Sequence, residues 1–400
     1  MSGLINVSEA IALIQANRPF PESETVPIEQ ALGRRLAEPV IAQRTHPPAA
    51  MSAMDGYAVK LNDVRQANAE LRVIGEAPAG RPFEDAVKSG EAVRIFTGSV
   101  IPDGADTVVI QENVAREGDK VTSLQAYAKP AHIRAAGLDF ATDDVLIDAG
   151  TRLRAEHLSA AAASNNSVVH VEKRLRVGLL ANGDELRPPG SNLKPGEIIN
   201  SNPYALTALV EGWGGDAVDL GIAGDSVEAI ESVLERAKDV DVFVPVGGAS
   251  VGDHDHMRTA FENRGFEPVF EKIAVRPGKP TWFSKSKDAL VLGLPGNPAS
   301  AMVCAHLFLS QLLGHEWRKS LVRGKLMSDI SANGPREHFM RARLSWDEDG
   351  SFEVDPLLNQ DSSLLRPFLT CNVLLRRQPN APALSAGTNA EALLIGSILP

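Results

Sequence analysis

The sequence predicts a multidomain α/β protein, and three features predict it. From Leu175 onward, apolar β-like runs alternate with helix-like segments. Residues 50–135 instead hold short β-like runs broken at close spacing by Gly, Pro and Asp. Beyond Lys325 short alternating strands return without helices between them. The first pattern specifies a doubly wound, largely parallel sheet with helices on both faces. The second specifies a small β-rich insertion domain, and the third a small C-terminal β-barrel-like domain. The expected boundaries are 46–135 for the β-rich domain, 175–324 for the α/β domain and 325–400 for the last. Residues 1–45 and 136–174 are expected to form one discontinuous helical/β linker domain.

Taken in order, Val7, Ile11 and Ile14 recur at helical spacing, with Asn6 or Ser8 as N-cap. A second short helix is expected over 28–36. Thr45-His46-Pro47-Pro48 marks the change of domain. Helix returns at 154–163, and the β-like segment 167–171 is expected to pack beside the N-terminal helices. In the α/β region strands are expected at 176–180, 215–221, 240–246, 268–275, 281–284 and 289–294. Helices are expected at 203–211, 227–237, 256–263 and 298–313.

Composition excludes several functions. Lys+Arg 40 against Asp+Glu 51 gives a formal net charge of −11, with no basic run, which disfavours nucleic acid and anionic membranes as partners. Positive charge for an anionic substrate must therefore be local. Cys304 and Cys371 are too few for a disulfide framework and lack metal-ligand spacing. The N-terminus has no signal-peptide pattern, and no stretch reaches the ~18 apolar residues of a membrane helix, so a cytoplasmic protein is expected.

The chemistry is expected where strands of the sheet end, because ligands of open α/β sheets bind at the carboxyl ends of strands. The run 240–246 stops at Gly247-Gly248, and the following Ala249-Ser250-Val251-Gly252 can present peptide N–H groups to an anion. Gly248 to Gly252 also matches G-x-S-x-G, the nucleophile elbow of serine hydrolases. An elbow puts its helix directly after the serine, whereas Gly252-Asp253 prolongs this loop, and the later histidines sit on no obvious post-strand loop. An anion-binding loop fits better than a hydrolase using Ser250 or a purely structural turn. In Leu294-Pro295-Gly296-Asn297-Pro298-Ala299-Ser300, Asn297 suits an N-cap and Pro298 a first helical residue. This reads either as simple capping or as a second anion site with Ser300 in the first turn. Arg276-Pro277-Gly278-Lys279-Pro280 is a rigid basic turn that supplies the local positive charge. Glu185, Asp225, Asp253 and Asp255 would all gather at one sheet edge, and several carboxylates beside phosphate-binding loops suit Mg²⁺. The stretches around Asp55 and Thr97 have no role that physics alone assigns.

Seven stretches together resemble the molybdopterin molybdenumtransferase family, of the bacterial MoeA type and the gephyrin E domain. They are SAMDGYAV (52–59), TGSVIPDGAD (97–106), GLDF (137–140), NGDEL (182–186), GGASVGDHD (247–255), RPGKP (276–280) and GLPGNPAS (293–300). The resemblance implies a molybdopterin-binding α/β domain in an elongated four-domain subunit. It implies a homodimer whose site lies between the α/β domain of one subunit and the β-rich domain of the other. The implied reaction joins molybdate to adenylylated molybdopterin and gives molybdenum cofactor and AMP with Mg²⁺. Implied functional positions are Asp55, Thr97, Asp139, Glu185, Asp225, Asp255, Lys279, Pro295 and Pro298. Gly247, Gly248, Ser250, Gly252, Gly296 and Asn297 would take pterin and phosphate, and Arg276, Lys279 and Ser300 molybdate or another anion. Further partners it implies are a molybdopterin adenylyltransferase and recipient molybdoenzymes or their chaperones. A non-catalytic molybdopterin-binding scaffold of the same fold is the alternative. The chain departs from the family pattern at Ala181-Asn182, at Val246 and at Arg276, where Lys is frequent.

Overall fold

A computed structural model describes residues 4–19, 22–247, 256–315 and 317–396. The chain divides into two compact units, Glu22–Glu172 and the combination of Met1–Pro21 with Lys173–Pro400.

In the larger unit the central sheet has six strands, in the order Asp216–Ala223, Arg176–Asn182, Val242–Val246, Leu290–Gly293, Trp282–Lys285, Glu267–Phe270. The first four are parallel, and Trp282–Lys285 runs antiparallel to both its neighbours. Side chains alternate across it as a pleat requires. Val242, Val244 and Val246 enter one core with helices Asn202–Gly212 and Pro298–Cys304, while Phe243 enters the other with Val227–Arg236 and His256–Asn263. The strand Arg176–Asn182 has Asp216–Ala223 on one side and Val242–Val246 on the other, so the connections diverge at its carboxyl end. That is the topological switch point.

Three expectations need correcting. The helix Val7–Ala16, capped by the Asn6 side chain, buries Val7, Ala10, Ile11 and Ile14 in the first sheet core, so residues 1–21 group with the α/β unit and not with 136–174. The apolar stripe predicted the helix, but nothing local says which core receives it. The expected helix over 28–36 is one 3₁₀ turn, Ile28–Gln30. The expected strand 268–275 is two strands, since Val275–Arg276 leaves the sheet and pairs with Glu337–His338.

The C-terminal strands close into a barrel. Glu337–Trp346 pairs with Phe352–Pro356 and with Val373–Arg377, Leu321–Leu326 pairs with Phe352–Pro356 and with Asn389–Leu394, and the last pairs with Val373–Arg377. Five strands thus leave no free edge in the ring.

The unit Glu22–Glu172 contains two structures. Residues 22–42 and 145–171 share one core, in which Ser23–Pro27 pairs antiparallel with Val168–Glu172. The β-rich part is a six-stranded sheet with cores on both faces, Tyr57 and Val59 on one and Ala58 on the other. Among the described residues no helix is long and apolar enough to cross a membrane.

Candidate functional site

The carboxyl ends of the parallel strands are tied together by side-chain amides. Asn182, 5% exposed, donates from Nδ2 to the carbonyls of Ala223 (3.3 Å) and Gly224 (3.0 Å). The Asp225 N–H donates to Asp184 Oδ1 at 3.2 Å, which sets those two acidic residues side by side. Asn182 is therefore a brace between strand ends. Gly247 follows the next strand at φ +99, and a Cβ there would lie 2.8 Å from the Asn182 carbonyl oxygen. No residue with a side chain fits that crossing.

A cleft of about 590 Å³ opens at this switch point. Glu185, Gly247, Pro280 and the residues from Pro295 to Pro298 line it. It therefore draws on NGDEL, on the first residue of GGASVGDHD, on RPGKP and on GLPGNPAS. Asn202, at the start of its helix, fixes one wall by donating to the Gly296 carbonyl at 2.8 Å. Asn297 occupies the N-cap position with extended backbone, yet its side chain makes no cap bond and donates to Ser362 Oγ at 3.1 Å. The Ser362 carbonyl accepts the Ala299 N–H at 3.1 Å. The barrel segment around Ser362 thus occupies part of the helix start that was expected to face an anion. Ser300 is 4% exposed and is not among the residues that line the cleft.

The same barrel segment supplies Ser363 to the cleft wall. It is held by Arg341, 2% exposed, which donates to the carbonyls of Leu364 (3.0 Å) and Asp361 (2.9 Å). Sequence reading missed Arg341, Ser362 and Ser363. The polar run Gln360-Asp361-Ser362-Ser363 between apolar strands was the available signal.

The basic turn is built tightly. Gly278 has φ +115, and a Cβ there would overlap the buried Cys304 sulfur. Thr281 Oγ1 donates to the Gly278 carbonyl at 2.8 Å and lies 3.2 Å from Cys304 Sγ. Burial pushes the Cys304 thiol up to about 12, so it serves as packing and not as a nucleophile. Arg276 and Lys279 are both exposed. Arg276 stands opposite His338 across the strand pair, and His338 stands opposite Arg377. Burial first, then the charges of Arg276, Arg336, Arg377 and Arg341, push His338 down to about 4. The imidazole is neutral at pH 7.

In the other unit Thr97 donates to Asp55 Oδ1 from its N–H (2.7 Å) and its hydroxyl (2.8 Å). The backbone bond, then the hydroxyl bond, hold the Asp55 carboxyl below its ordinary value, so it stays ionised. Asp139 is exposed on a separate turn, anchored through its N–H to the His46 carbonyl at 3.1 Å. Gly248, Ser250, Gly252 and Asp255 lie outside the described residues. Glu185 and Asp225 are hard oxygen donors of the kind Mg²⁺ takes. Among the described residues, no group of three or more His, Cys, Asp or Glu is gathered to hold a metal ion.

Comparison with known proteins covers nearly the whole chain. Residues 5–165 match the model of the MoeA N-terminal region (domain I and II), residues 178–315 that of a probable molybdopterin binding domain, and residues 323–395 that of the MoeA C-terminal region (domain IV). The chain is 32% identical over 393 residues to a molybdopterin molybdenumtransferase of Haemophilus influenzae, covering 96% of this chain and 97% of that protein. A Nostoc protein of the same name is 34% identical over 346 residues, covering 83% and 79% respectively. The crystal structure of a molybdopterin biosynthesis MoeA protein from Pyrococcus horikoshii superposes with TM-score 0.85 at 28% identity, covering 99% of this chain and all of that one.

Proposed function

The chain belongs to the MoeA family of molybdopterin molybdenumtransferases, and on that premise we propose how its cleft inserts molybdenum. The reaction class is molybdenum transfer in molybdenum cofactor biosynthesis. The finer reading is that molybdate and adenylylated molybdopterin enter, and that molybdenum cofactor and AMP leave. One observation carries it: Glu185, Gly247, Pro280 and the loop from Pro295 to Pro298 converge on a single cleft at the switch point.

Two anions must meet here on a chain of formal net charge −11. Arg276 and Lys279 supply the local positive charge that draws in molybdate, and the neutral His338 beside Arg276 adds none of its own. Gly247 and Gly296 lack side chains, which lets a pterin phosphate approach the backbone at the strand ends. Glu185 and Asp225, joined by Asp255, would hold Mg²⁺. When bound, that ion neutralises phosphate oxygens of the anhydride. Ionised Asp55 with Thr97, together with Asp139, belongs to the same site in a homodimer in which each site draws on both subunits. The support for this is that Asp55 and Thr97 already form a finished carboxylate–hydroxyl pair.

The test is AMP release from adenylylated molybdopterin and molybdate by the purified full chain. Asp225→Asn and Lys279→Ala are each expected to lower the rate about 10²-fold while leaving thermal unfolding unchanged. Full activity in both variants overturns the assignment. Molybdopterin binding without AMP release favours the scaffold alternative.

A further inference from the structure

Where the basic turn meets the barrel, three basic side chains stand in a row. Arg276 is the register partner of His338, and His338 is the register partner of Arg377. Partners across a ladder project from the same face, on strands about 4.8 Å apart. Arg336, two residues before His338, flanks the row and donates from Nη1 to the Val275 carbonyl at 3.5 Å.

The row lies on the barrel side of these strands and not on the cleft side. His338 alternates in phase with Met340, Ala342 and Leu344, which pack in the barrel core, and Arg377 is in phase with Val373 and Leu375 of the same core. Phe339 and Arg341 take the opposite phase, Phe339 in the sheet core and Arg341 on the segment that walls the cleft. None of Arg276, Arg336, His338 and Arg377 lines the cleft.

The protein does not neutralise this charge itself. Arg377 is 3% exposed; its Nη2 donates to the Pro382 carbonyl, and its Nη1 has no partner. His338 is 7% exposed, and among the described residues its ring makes no hydrogen bond. Among the described residues no carboxylate pairs with Arg276, Arg336 or Arg377, and Glu337, beside them in the chain, accepts from Arg376 at 2.6 Å instead. Like charges opposite each other on a sheet are destabilising, and buried charges are normally paired. Guanidinium forks present several N–H donors at once, which matches the oxygens of a tetrahedral anion.

We propose that Arg276, Arg336, His338 and Arg377 form a binding site for a tetrahedral oxyanion of the phosphate class at the mouth of the barrel, separate from the cleft. Arg276 is exposed and Arg336 half-buried, so the ion enters on their side while Arg377 closes the inner end. The pairing of Val275–Arg276 with Glu337–His338 is short, and an anion on the row turns repulsion across it into attraction. The ion thereby clamps the barrel to the basic turn, and the site needs no part of the transfer reaction.

Calorimetric titration of the full chain with inorganic phosphate at constant ionic strength tests this. Phosphate is expected to bind the parent chain and to raise its Tm above that in chloride. Arg336→Gln removes a charged donor from the rim and is expected to weaken phosphate about tenfold or more; circular dichroism confirms that it is folded. A second readout needs no change in the row. The His338 ring NMR signals, assigned by their absence in His338→Gln, are expected to move with phosphate. The imidazole pKa should rise from about 4 as an anion joins the facing Arg276, Arg336, Arg377 and Arg341. No phosphate binding by the parent chain, unchanged affinity in folded Arg336→Gln, or His338 signals that stay still would each overturn the site. So would phosphate binding that Lys279→Ala abolishes and Arg336→Gln does not, which would put the ion in the cleft. Competition by phenyl phosphate assigns the site to a phosphate group on a larger molecule, and lack of competition assigns it to the free ion; both support the site.

Discussion

At Asp55 two bonds from one residue set the charge. The amide bond from Thr97 comes from the backbone and survives any substitution there, whereas the hydroxyl bond does not. Thr97→Ala is therefore expected to raise the Asp55 pKa only part of the way to its ordinary value, as a carboxyl ¹³C titration would show. Because the folded pKa is depressed, the stabilisation is present at neutral pH and is lost as pH falls through it. His338 and His306 work in the same direction for another reason. Both are pushed down to about 4, chiefly by burial, so each is neutral when folded and protonated more readily when unfolded. Stability should therefore fall from about pH 6.5 towards pH 4, by roughly 3 kcal/mol for each histidine that stays buried. Urea unfolding of the parent chain and His338→Gln at pH 7 and pH 4.5 measures it, and the variant should lose less over that range.

The RPGKP turn is an element whose sequence and packing partner lie apart. Gly278→Ala adds a Cβ in a strained backbone region and against the Cys304 sulfur, so it should lower Tm and weaken molybdate binding together. Adding Cys304→Ala should recover the steric part and not the backbone part, a coupling that a double-mutant cycle reads directly. Here the limits of sequence reading are physical. Glu185, Gly247 and Pro295 could be placed at strand ends because Gly, Pro and acidic residues punctuate those ends, and all three line the cleft. Asn297 takes the expected N-cap position, but its side chain bonds Ser362, far along the chain, in place of a local cap, and no local pattern shows that partner. The split of 268–275 was hidden for the same reason, since Val275–Arg276 is recruited by a barrel strand that no local pattern announces.

On the scale of the whole molecule, helix Val7–Ala16 completes a core whose other members all lie beyond residue 174. Ile14 is fully buried there, so Ile14→Ala should cost about 2–5 kcal/mol in the larger unit alone. A fragment of residues 173–400 should aggregate or unfold at lower temperature, and a peptide of residues 1–21 added in trans should raise its Tm. Residues 22–172, with three cores of their own, should fold alone and show no such dependence. The strip of closed and open sheets was legible from periodicity, but the return of the first helix to a distant core was not.

That return has a consequence for how the protein is made. Ser23 and Glu172 stand directly opposite each other, so the chain enters and leaves the smaller unit at one place. A ribosome adds ~5–20 residues per second, so Val246 follows Ala16 by roughly 10–45 s. For that time the apolar face of the first helix has been synthesised and its sheet has not. The smaller unit can be finished in the interval, and the nascent helix is then a natural client for a chaperone that shields apolar surface until the sheet emerges.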